Sequence, residues 1–409
     1  PGVHPVSLRT ARGLTNSVPF AVGVLPDCLE QERDSTPETA QPVPFPVVVN
    51  GRIDKPGAVD LFRFRAEPGI RIVAEVRARR LGSPLDSLLR LTAADGAELG
   101  ANDDFEDRAA GLTTHHADSR LSVTVPEDGL VNVALSDTQQ RGGRDFAYRL
   151  HLDRQKPGFQ LRVVPSSINV RAGTTMPFTV HALRQDDFDG QIDLELVDPP
   201  PGFALSGGRI PGGEDLIRCT LTVPATPSGP PQRLSLRGRG MAGRHEVTRT
   251  AVPADDVMQA FIYRHLVPAD GGWVTVTGSP RRTTASVPDL DRLGIPPGGT
   301  VHIPIRLGRR SRFGVTEFEL SDPPEGITIQ SVSFGRRRAE ITLCCDAARC
   351  RPGHEGNLIL NVFAAKTGEN SGKGKEQRKK RRILLTALPA IPFRIAAEQA
   401  HSKHEENSK

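Results

Sequence analysis

The composition of this 409-residue chain favours short strands and turns over long helices, because its 40 glycines and 35 prolines follow no strict period. The length allows two to four domains, each able to bury its own core. The formal net charge is +5, yet residues 366–382 alone hold eight basic and two acidic side chains, a net charge of +6. The rest of the chain is therefore about neutral, which argues against a general DNA-binding or RNA-binding face.

Residues 1–46 are predicted to lie ahead of the first complete domain. The chain begins at Pro1 without a charged-then-apolar leader, so we expect a processed product or an excised piece of a larger protein. Residues 1–24 contain short apolar stretches and turn residues, which predict the last hairpin of a truncated domain. Residues 25–46, rich in Pro, Glu and Thr, predict a polar linker.

Residues 47–153 are predicted to form one sandwich of about eight short strands. The stretch NGRIDKPGAVDLFRFRA at 50–66 combines a turn at Lys55-Pro56-Gly57 with a strand in which Phe62 and Phe64 alternate with arginines. Alternating segments continue to the end of the region, separated by Pro-Gly, Asp-Gly and Gly-Gly turns. Phe62 and Phe64 are accordingly predicted to be core residues.

Two later regions, 154–254 and 279–395, are predicted to be copies of one Ig-like sandwich. LELVDPPPG at 194–202 recurs as FELSDPPEG at 318–326, with matching turns and strands before and after it. Residues 255–278 between the copies predict a connector, and over residues 256–266 the helix and strand predictions are evenly matched. The basic segment 366–382 is predicted to be a long hairpin tip in the second copy, and residues 396–409 a disordered tail.

The cysteines fit a protein without a complete disulfide framework. They stand at positions 28, 219, 344, 345 and 350, and an odd number excludes full pairing within a monomer. Cys219 and Cys345 fall on the inward phase of alternating strands and are predicted to be buried thiols. A Cys344–Cys350 bridge is left open as an alternative.

Common enzyme signatures do not occur in the sequence. We find no HExxH, no GxSxG elbow, no Walker lysine loop and no GxGxxG after a strand. His115 and His116 are adjacent, but neighbouring residues on a strand point to opposite faces, which argues against a shared metal ion. Nor does the chain contain a run of 18 apolar residues, so no membrane-spanning helix is predicted. The chain is therefore predicted to be non-catalytic.

Two groups of oxygen-bearing side chains are candidate calcium sites, since calcium prefers six to eight hard oxygen ligands. The alternative for both groups is turn chemistry, because Asp and Asn side chains commonly hydrogen-bond the backbone of β-turns. The first group joins the linker to the turn before Phe62 and comprises Glu30, Glu32, Asp34, Asp54 and Asp60. The second lies in a long loop between strands and comprises Asn102, Asp103, Asp104 and Asp118.

The basic segment 366–382 has two readings as well. A cluster of lysines and arginines attracts acidic polysaccharide, nucleic acid or phospholipid headgroups. The alternative is a solvated loop that only contributes solubility, which the strand-like segments on either side favour by explaining its position.

Several stretches in the first half of the chain resemble a known family. EQERDSTPETAQP at 30–42, VVVNGRIDKPGAVDLFRFRAEPG at 47–69 and DSRLSVTVPEDGLVNVALSD at 118–137 are similar to the bacterial pre-peptidase C-terminal domain, in the form found in large secreted proteins of planctomycete-like bacteria. The match covers about residues 28–153. Residues 1–24 are similar to the end of a TIG-type Ig-like domain.

This resemblance implies an extracellular accessory domain with a jelly-roll sandwich, beside a protease or within a multidomain surface protein. Relatives in clostridial collagenases bind collagen and hold calcium between a linker and the sandwich, with the linker pattern E-x-E-P-N-D. Glu30 and Glu32 match that pattern, and Asp34 keeps an oxygen in place of Asn. Arg33 and Ser35 depart from it, which weakens the implied calcium site. The Asp-before-Phe position of the family corresponds to Asp60.

Together these observations predict an all-β chain of tandem sandwiches, a jelly roll followed by two Ig-like domains. The expected function is a non-catalytic binding or scaffold module, extracellular, cell-surface or periplasmic, with Ca²⁺ as the candidate stabilising ion. Its expected partner is an extracellular protein or polysaccharide, and the expected state is a monomeric fragment of a larger multidomain protein. The alternatives are an accessory region of a secreted peptidase or other hydrolase, and an adhesin that binds polyanions through residues 366–382.

Overall fold

The computed structural model describes residues 1–31, 36, 39–112, 115–227, 229–260, 263–279, 285–288, 292–308, 315–365 and 382–397. In this part of the chain the regular structure is strand, apart from short 3₁₀ turns such as Arg79–Leu81 and Arg108–Ala110. The chain divides into two compact units, Pro1–Pro157 and Gly158–Lys409. The predicted all-β fold of tandem sandwiches is confirmed. None of the helical segments described is long and apolar enough to cross a membrane.

The first unit opens with a hairpin that leaves its apolar side chains exposed. β1 (Gly2–Val6) pairs antiparallel with β4 (Val18–Val22), and β2 (Arg9–Thr10) pairs with β3 (Gly13–Leu14). Leu14 is 74% exposed and Phe20 is 58% exposed. The predicted hairpin is present, and its origin in a truncated Ig-like domain stays a prediction.

The remainder of the first unit is a sandwich of two five-stranded sheets. One sheet has the order β11-β10-β15-β8-β6, and the other has the order β14-β9-β16-β7-β5. A separate two-stranded ribbon joins β12 to β13. The strands are β5 (Asp27–Leu29), β6 (Gln41–Pro42), β7 (Val47–Arg52), β8 (Val59–Arg65), β9 (Arg71–Arg77), β10 (Ser87–Thr92), β11 (Glu98–Asn102), β12 (Phe105–Glu106), β13 (His115–His116), β14 (Arg120–Thr124), β15 (Leu130–Asp137) and β16 (Ala147–Arg154).

The period-2 pattern of the sequence accounts for this core. Phe62 and Phe64 on β8 are 1% and 2% exposed, and they pair in register with Val133 and Val131 on β15. Fully burying side chains of this size stabilises the fold by about 1.5–3 kcal/mol each. The prediction that Phe62 and Phe64 are core residues is confirmed.

The segment predicted to be a polar linker adds an edge strand to each sheet. β5 runs parallel to β7, and β6 runs parallel to β8. The buried side chain of Gln41 accepts a hydrogen bond of 2.8 Å from the backbone N–H of Gln31 and donates one of 3.0 Å to Leu29 O. The two ends of the linker are therefore bound to the sandwich and to each other.

The first Ig-like sandwich occupies the beginning of the second unit. Its sheets have the orders β21-β23-β19-β17-β27-β28, β22-β20-β25-β26 and β18-β29-β24. The strands are β17 (Gly158–Val164), β18 (Ser167–Arg171), β19 (Thr175–Gln185), β20 (Ile192–Val197), β21 (Ala204–Ser206), β22 (Arg209–Ile210), β23 (Leu216–Thr222), β24 (Gln232–Arg233), β25 (Ser235–Ala242), β26 (His245–Thr250), β27 (Val252–Gln259), β28 (Tyr263–Pro268) and β29 (Trp273–Thr277).

The second Ig-like sandwich has its own hydrophobic core. Its sheets have the orders β30-β32-β35-β34, β33-β37-β38 and β31-β39-β36. The strands are β30 (Ala285–Ser286), β31 (Leu293–Ile295), β32 (Thr300–Leu307), β33 (Val315–Leu320), β34 (Ile327–Gly335), β35 (Arg338–Cys345), β36 (Glu355–Leu358), β37 (Leu360–Ala365), β38 (Arg382–Ala387) and β39 (Ile391–Ile395).

The two Ig-like sandwiches share one topology. The order β19-β23-β21 of the first corresponds to β32-β35-β34 of the second, and the parallel pair β18–β29 corresponds to the parallel pair β31–β39. The repeated turn also has the same backbone, with φ of 43° at Asp198 and 44° at Asp322, followed by 86° at Gly202 and 83° at Gly326. The repeated sequence therefore builds a repeated structure.

The described residues between 255 and 278 contribute strands to the first Ig-like sandwich. β27 and β28 make a hairpin at one edge of its six-stranded sheet. β29 pairs parallel with β18, and its Val274 and Val276 are buried in the core of that sandwich. A segment predicted from the sequence to connect two domains is thus an integral part of one of them.

The disulfide involves a different cysteine from the one considered in the sequence. Cys345 and Cys350 are bonded, whereas Cys28, Cys219 and Cys344 are free. Cys345 faces the core at the end of β35, as predicted, but it is not a thiol, and the Cys344–Cys350 alternative is wrong. Adjacent residues on a strand point to opposite faces, so only Cys345 faces the buried Cys350 across the short turn between them. Burial raises the pKa of the Cys219 thiol to about 12.

Candidate functional site

Glu30 lies where the linker meets one end of the first sandwich. Its backbone N–H donates to Asn50 O at 2.9 Å, and its Oε2 accepts a hydrogen bond of 2.9 Å from the backbone N–H of Arg52. β5, immediately before it, is already paired with β7. The half-buried carboxylate of Glu30 is therefore held against the end of β7.

Asp60 approaches the same region from the opposite sheet. It is 9% exposed on the inward face of β8, and its Oδ2 accepts a hydrogen bond of 2.6 Å from the Tyr148 hydroxyl on β16. Gly51 pairs with Tyr148 in register, and a Cβ at position 51 would lie less than 3.0 Å from both the Tyr148 hydroxyl and Glu30 Oε2. The missing side chain at Gly51 lets the linker carboxylate and the Tyr148–Asp60 pair come together. We call Glu30, Gly51, Asp60 and Tyr148 the linker-entry site.

The linker-entry site contains part of the predicted calcium group. Glu32 and Asp34 lie outside the described residues. Asp54 is exposed, and the described residues include no group of three or more His, Cys, Asp or Glu side chains that could hold a metal ion, so Asp54 does not complete a set with Glu30 and Asp60. Two carboxylates fit calcium as hard oxygen ligands, but the ion prefers six to eight. The calcium site stays a prediction.

Tyr148 is the residue of this site that the sequence pattern did not single out. Its place on an alternating strand predicts a core side chain, and it is 3% exposed. The signal was available nonetheless, because a buried Tyr hydroxyl usually requires a hydrogen-bond partner. The sequence does not show that Asp60 is this partner, because that depends on how the two sheets pack against each other.

The second acidic group forms turn contacts around Asn102. Its Nδ2 donates to Asp104 O at 2.8 Å, and its Oδ1 accepts from the backbone N–H of Arg120 at 2.9 Å. Asp103 Oδ1 accepts from the backbone N–H of Asp104 at 3.0 Å. These are backbone contacts of the kind that Asp and Asn commonly make in turns.

Asp118, the remaining member of that group, organises a different part of the sandwich. The fully buried carboxylate accepts hydrogen bonds at Oδ1 from the backbone N–H groups of Ala78 (2.9 Å) and Arg79 (2.6 Å). Its Oδ2 accepts from the backbone N–H of Arg80 (3.2 Å) and from Arg80 Nε (2.6 Å). Both oxygens are engaged by protein donors, so Asp118 holds the 3₁₀ turn Arg79–Leu81 rather than joining the loop of Asn102.

The ion-pair network continues from Arg80 across the outer face of the sheet. Arg80 Nη2 lies 2.8 Å from Glu75 Oε1. Burial alone would raise the pKa of the Glu75 carboxyl, but the charges of Arg77 and Arg80 outweigh it and lower the pKa below its ordinary value. His151 pairs in register with Glu75, and its Nε2 is buried without a hydrogen-bond partner. Burial, together with the charge of Arg77, lowers the pKa of His151 from 6.5 to about 4.

The His151 shift makes the stability of the first unit depend on pH. Because the pKa of His151 is lower in the folded state than in the unfolded chain, the unfolded chain takes up the proton first as the pH falls. We expect the free energy of unfolding to fall by about 2 kcal/mol between pH 6.5 and pH 4 on this account. Histidine-selective NMR should give a titration midpoint near pH 4 for the resonance that His151→Gln removes. A midpoint near the ordinary histidine value for that resonance would contradict the assignment.

The basic segment 366–382 lies outside the described residues except for Arg382. The strands before and after it, β37 and β38, pair antiparallel, with Ala365 opposite Arg382. Arg382 Nη2 lies 2.7 Å from Glu319 Oε2, its Nε lies 3.0 Å from Glu317 Oε2, and its guanidinium stacks over Phe363 at 4.2 Å. The end of the segment is thus fixed to the second Ig-like sandwich.

Comparison with known proteins finds similarity of structure only. No family model matches the chain, and no curated protein matches it in sequence. The D0–D1 domain of intimin is 11% identical, with a TM-score of 0.18, over 57% of this chain and 97% of that one. A complex of Dpr2 Ig1–Ig2 with DIP-Theta Ig1–Ig3 is 9% identical, with a TM-score of 0.19, over 59% of this chain and 99% of the matched one. A marsupial T cell receptor is 11% identical, with a TM-score of 0.17, over 56% and 99%. Scores this low carry no argument about function, and the fold class rests on the strands described above.

Proposed function

We propose that the chain is a non-catalytic binding and scaffold module of a secreted or cell-surface protein, in which calcium fastens the linker to the first sandwich. The observation that carries the proposal is the linker-entry site, where Glu30 meets the Tyr148–Asp60 pair over Gly51. The resemblance of residues 28–153 to the pre-peptidase C-terminal domain supports the same reading, because relatives in that family hold calcium between a linker and a sandwich.

Calcium would be held by Glu30 and Asp60, with Glu32 and Asp34 as the further ligands that the linker sequence offers. The Tyr148 hydroxyl orients the Asp60 carboxylate, and the Arg52 backbone N–H orients that of Glu30. When bound, the ion would offset the repulsion between these carboxylates and so favour the docked linker. The pairing of the two ends of the linker with both sheets of the sandwich supports the proposed scaffold role.

Calcium is therefore expected to stabilise the first unit by mass action, by about 2.7 kcal/mol at a concentration a hundredfold above the Kd. Calorimetric melts in saturating calcium and in chelator should differ, and Glu30→Gln should remove most of the difference. Asp54→Asn is the matched control, because Asp54 is exposed and outside the linker-entry site. Equal melts in calcium and chelator would refute the calcium part of the proposal.

A second candidate function, adhesion to polyanions, is favoured by a comparison of the two Ig-like copies. In the first copy the hairpin β25–β26 pairs Ala242 with His245, so its turn has two residues. In the second copy the corresponding strands β37 and β38 pair Ala365 with Arg382, and sixteen residues, seven of them basic and two acidic, separate those two positions in the sequence. In sequence, the second copy thus carries a longer and basic connection between these two paired strands.

Replacing residues 366–381 with the two-residue Gly-Arg turn of the first copy tests this adhesion. We expect the parent chain to be retained on immobilised heparin at low salt and released as salt screens the interaction. The shortened variant should pass through unretained, whereas Lys156→Ala, which removes a lysine from the first unit, should behave as the parent. Equal retention of the parent and shortened chains would rule this connection out as the binding element.

A further inference from the structure

The two Ig-like sandwiches of the second unit enclose a polar cleft of about 260 Å³. One wall comes from β20 and β22 of the first sandwich, through Asp193 and Arg209. The other comes from the second sandwich, through Arg292 and Glu355. The cleft lies at a junction between domains, a place where ligand sites commonly occur.

Contacts between the sandwiches fix the shape of this cleft. Asn357 Nδ2 donates hydrogen bonds of 2.8 Å to both Gly207 O and Arg218 O. The backbone N–H of Ala390 donates at 2.8 Å to Thr220 Oγ1, which is fully buried. Gly207 and Asn357 line the cleft themselves, so the hydrogen bond between them fixes part of its lining. A preformed site loses less entropy when a ligand binds.

Each wall of the cleft presents one arginine paired with one carboxylate. Arg209 Nε lies 3.1 Å from Asp193 Oδ1, and Arg292 Nη1 lies 3.1 Å from Glu355 Oε1. Glu355 is also 3.4 Å from Arg394 Nε. The four charged side chains that line the cleft among the described residues balance, so this lining favours a neutral ligand over an ion. A guanidinium has five N–H donors and a carboxylate about four acceptor sites, which leaves both kinds of group available beside each pair.

Adjacent hydroxyl groups of a sugar complement such pairs, because every hydroxyl both accepts from an arginine and donates to a carboxylate. The side chains of Arg209 and Asp193 are 53% and 59% exposed, so a ligand reaches them without rearrangement. The cleft volume of about 260 Å³ is below the range of about 300–1,000 Å³ found for sites that bind drug-sized molecules. A cleft of this size suits a single sugar ring. We propose that this cleft binds one neutral sugar ring of a glycan.

The proposal deepens the proposed binding function and rests on it, but it uses no residue of the linker-entry site. Calcium dependence of the melt and sugar binding are therefore measured separately. A chain that responds to calcium but binds no sugar would overturn this inference alone.

Saturation-transfer NMR and calorimetric titration of the full chain provide the test, with methyl glycosides of glucose, galactose, mannose and N-acetylglucosamine as neutral probes. Glucuronic acid and glucosamine are the charged probes. We expect at least one neutral glycoside to bind saturably, with a Kd of about 1–10 mM. Arg209→Ala and Glu355→Gln should each weaken that binding by about tenfold.

Arg239→Ala is the matched control, because Arg239 forms the same kind of pair with Glu195, at 2.8 Å, on the same sandwich but outside the cleft lining. It should leave sugar binding unchanged, and melts of all three variants will show that they fold. Failure of every neutral probe to saturate at about 50 mM would overturn the proposal. So would binding that Arg209→Ala and Glu355→Gln leave intact, or tighter binding of the charged sugars than of the neutral ones.

Discussion

Asp118→Ala is expected to lower the free energy of unfolding of the first unit by about 3–5 kcal/mol. The substitution leaves the backbone N–H groups of Ala78, Arg79 and Arg80 without the acceptor that they share, and it removes one partner of the half-buried Arg80 guanidinium. Unmet hydrogen-bonding groups of this kind are costly in a protein interior. Hydrogen exchange measured against denaturant in peptides from β9 and β14 reports the loss.

Asp103→Ala is the control for Asp118→Ala. Asp103 belongs to the same acidic group in the sequence, but it is exposed and accepts its hydrogen bond from the backbone of the next residue. We expect a change within about 0.5 kcal/mol for this surface substitution. Equal effects of the two substitutions would show that Asp118 does not hold the 3₁₀ turn Arg79–Leu81.

Gly207→Ala is expected to destabilise the second unit by about 2–4 kcal/mol. Gly207 has φ of 75°, and a Cβ there would lie less than 3.0 Å from the Asn357 amide that joins the two Ig-like sandwiches. The substitution therefore combines backbone strain with a clash at the contact between sandwiches. Trp273, the single tryptophan of the sequence, lies on β29 in the first Ig-like sandwich and gives a fluorescence signal for denaturation of this unit.

Gly213→Ala separates the cost of backbone strain from the cost of the clash with Asn357. Gly213 also has φ of 75°, but no atom lies within 4 Å of a Cβ built there. We expect it to cost about 1 kcal/mol through backbone strain alone, so the difference from Gly207→Ala measures the contact with Asn357. If the two alanine variants are equally stable, the packing of Asn357 against Gly207 does not stabilise the unit.

The strands and the repeat could be predicted because their signals are local. Because side chains on a strand alternate between its two faces, Phe62 and Phe64 are predicted to face the core even when the partner strand is unknown. The repeated Asp-Pro-Pro turn shows the duplication directly in the sequence, and its φ values agree between the copies.

The contacts that shape the candidate sites could not be predicted, because they join segments far apart in the chain. The Tyr148–Asp60 hydrogen bond links two sheets, and the parallel pair β18–β29 brings the expected connector into the first Ig-like sandwich. Asp118 looked like its acidic neighbours in sequence, but the turn that it binds lies about forty residues earlier. The residue type determines which hydrogen bonds a side chain can form, whereas the pairing of distant strands determines which partner it forms them with.

Hydrogen exchange at the linker tests the central claim most directly. If calcium fastens the linker to the first sandwich, the backbone amides of Glu30 and Arg52 should exchange more slowly in calcium than in chelator, and Glu30→Gln should abolish the difference. These two amides donate to Asn50 O and to Glu30 Oε2, so they report the docked state itself. Identical exchange of both amides in calcium and in chelator would contradict the account.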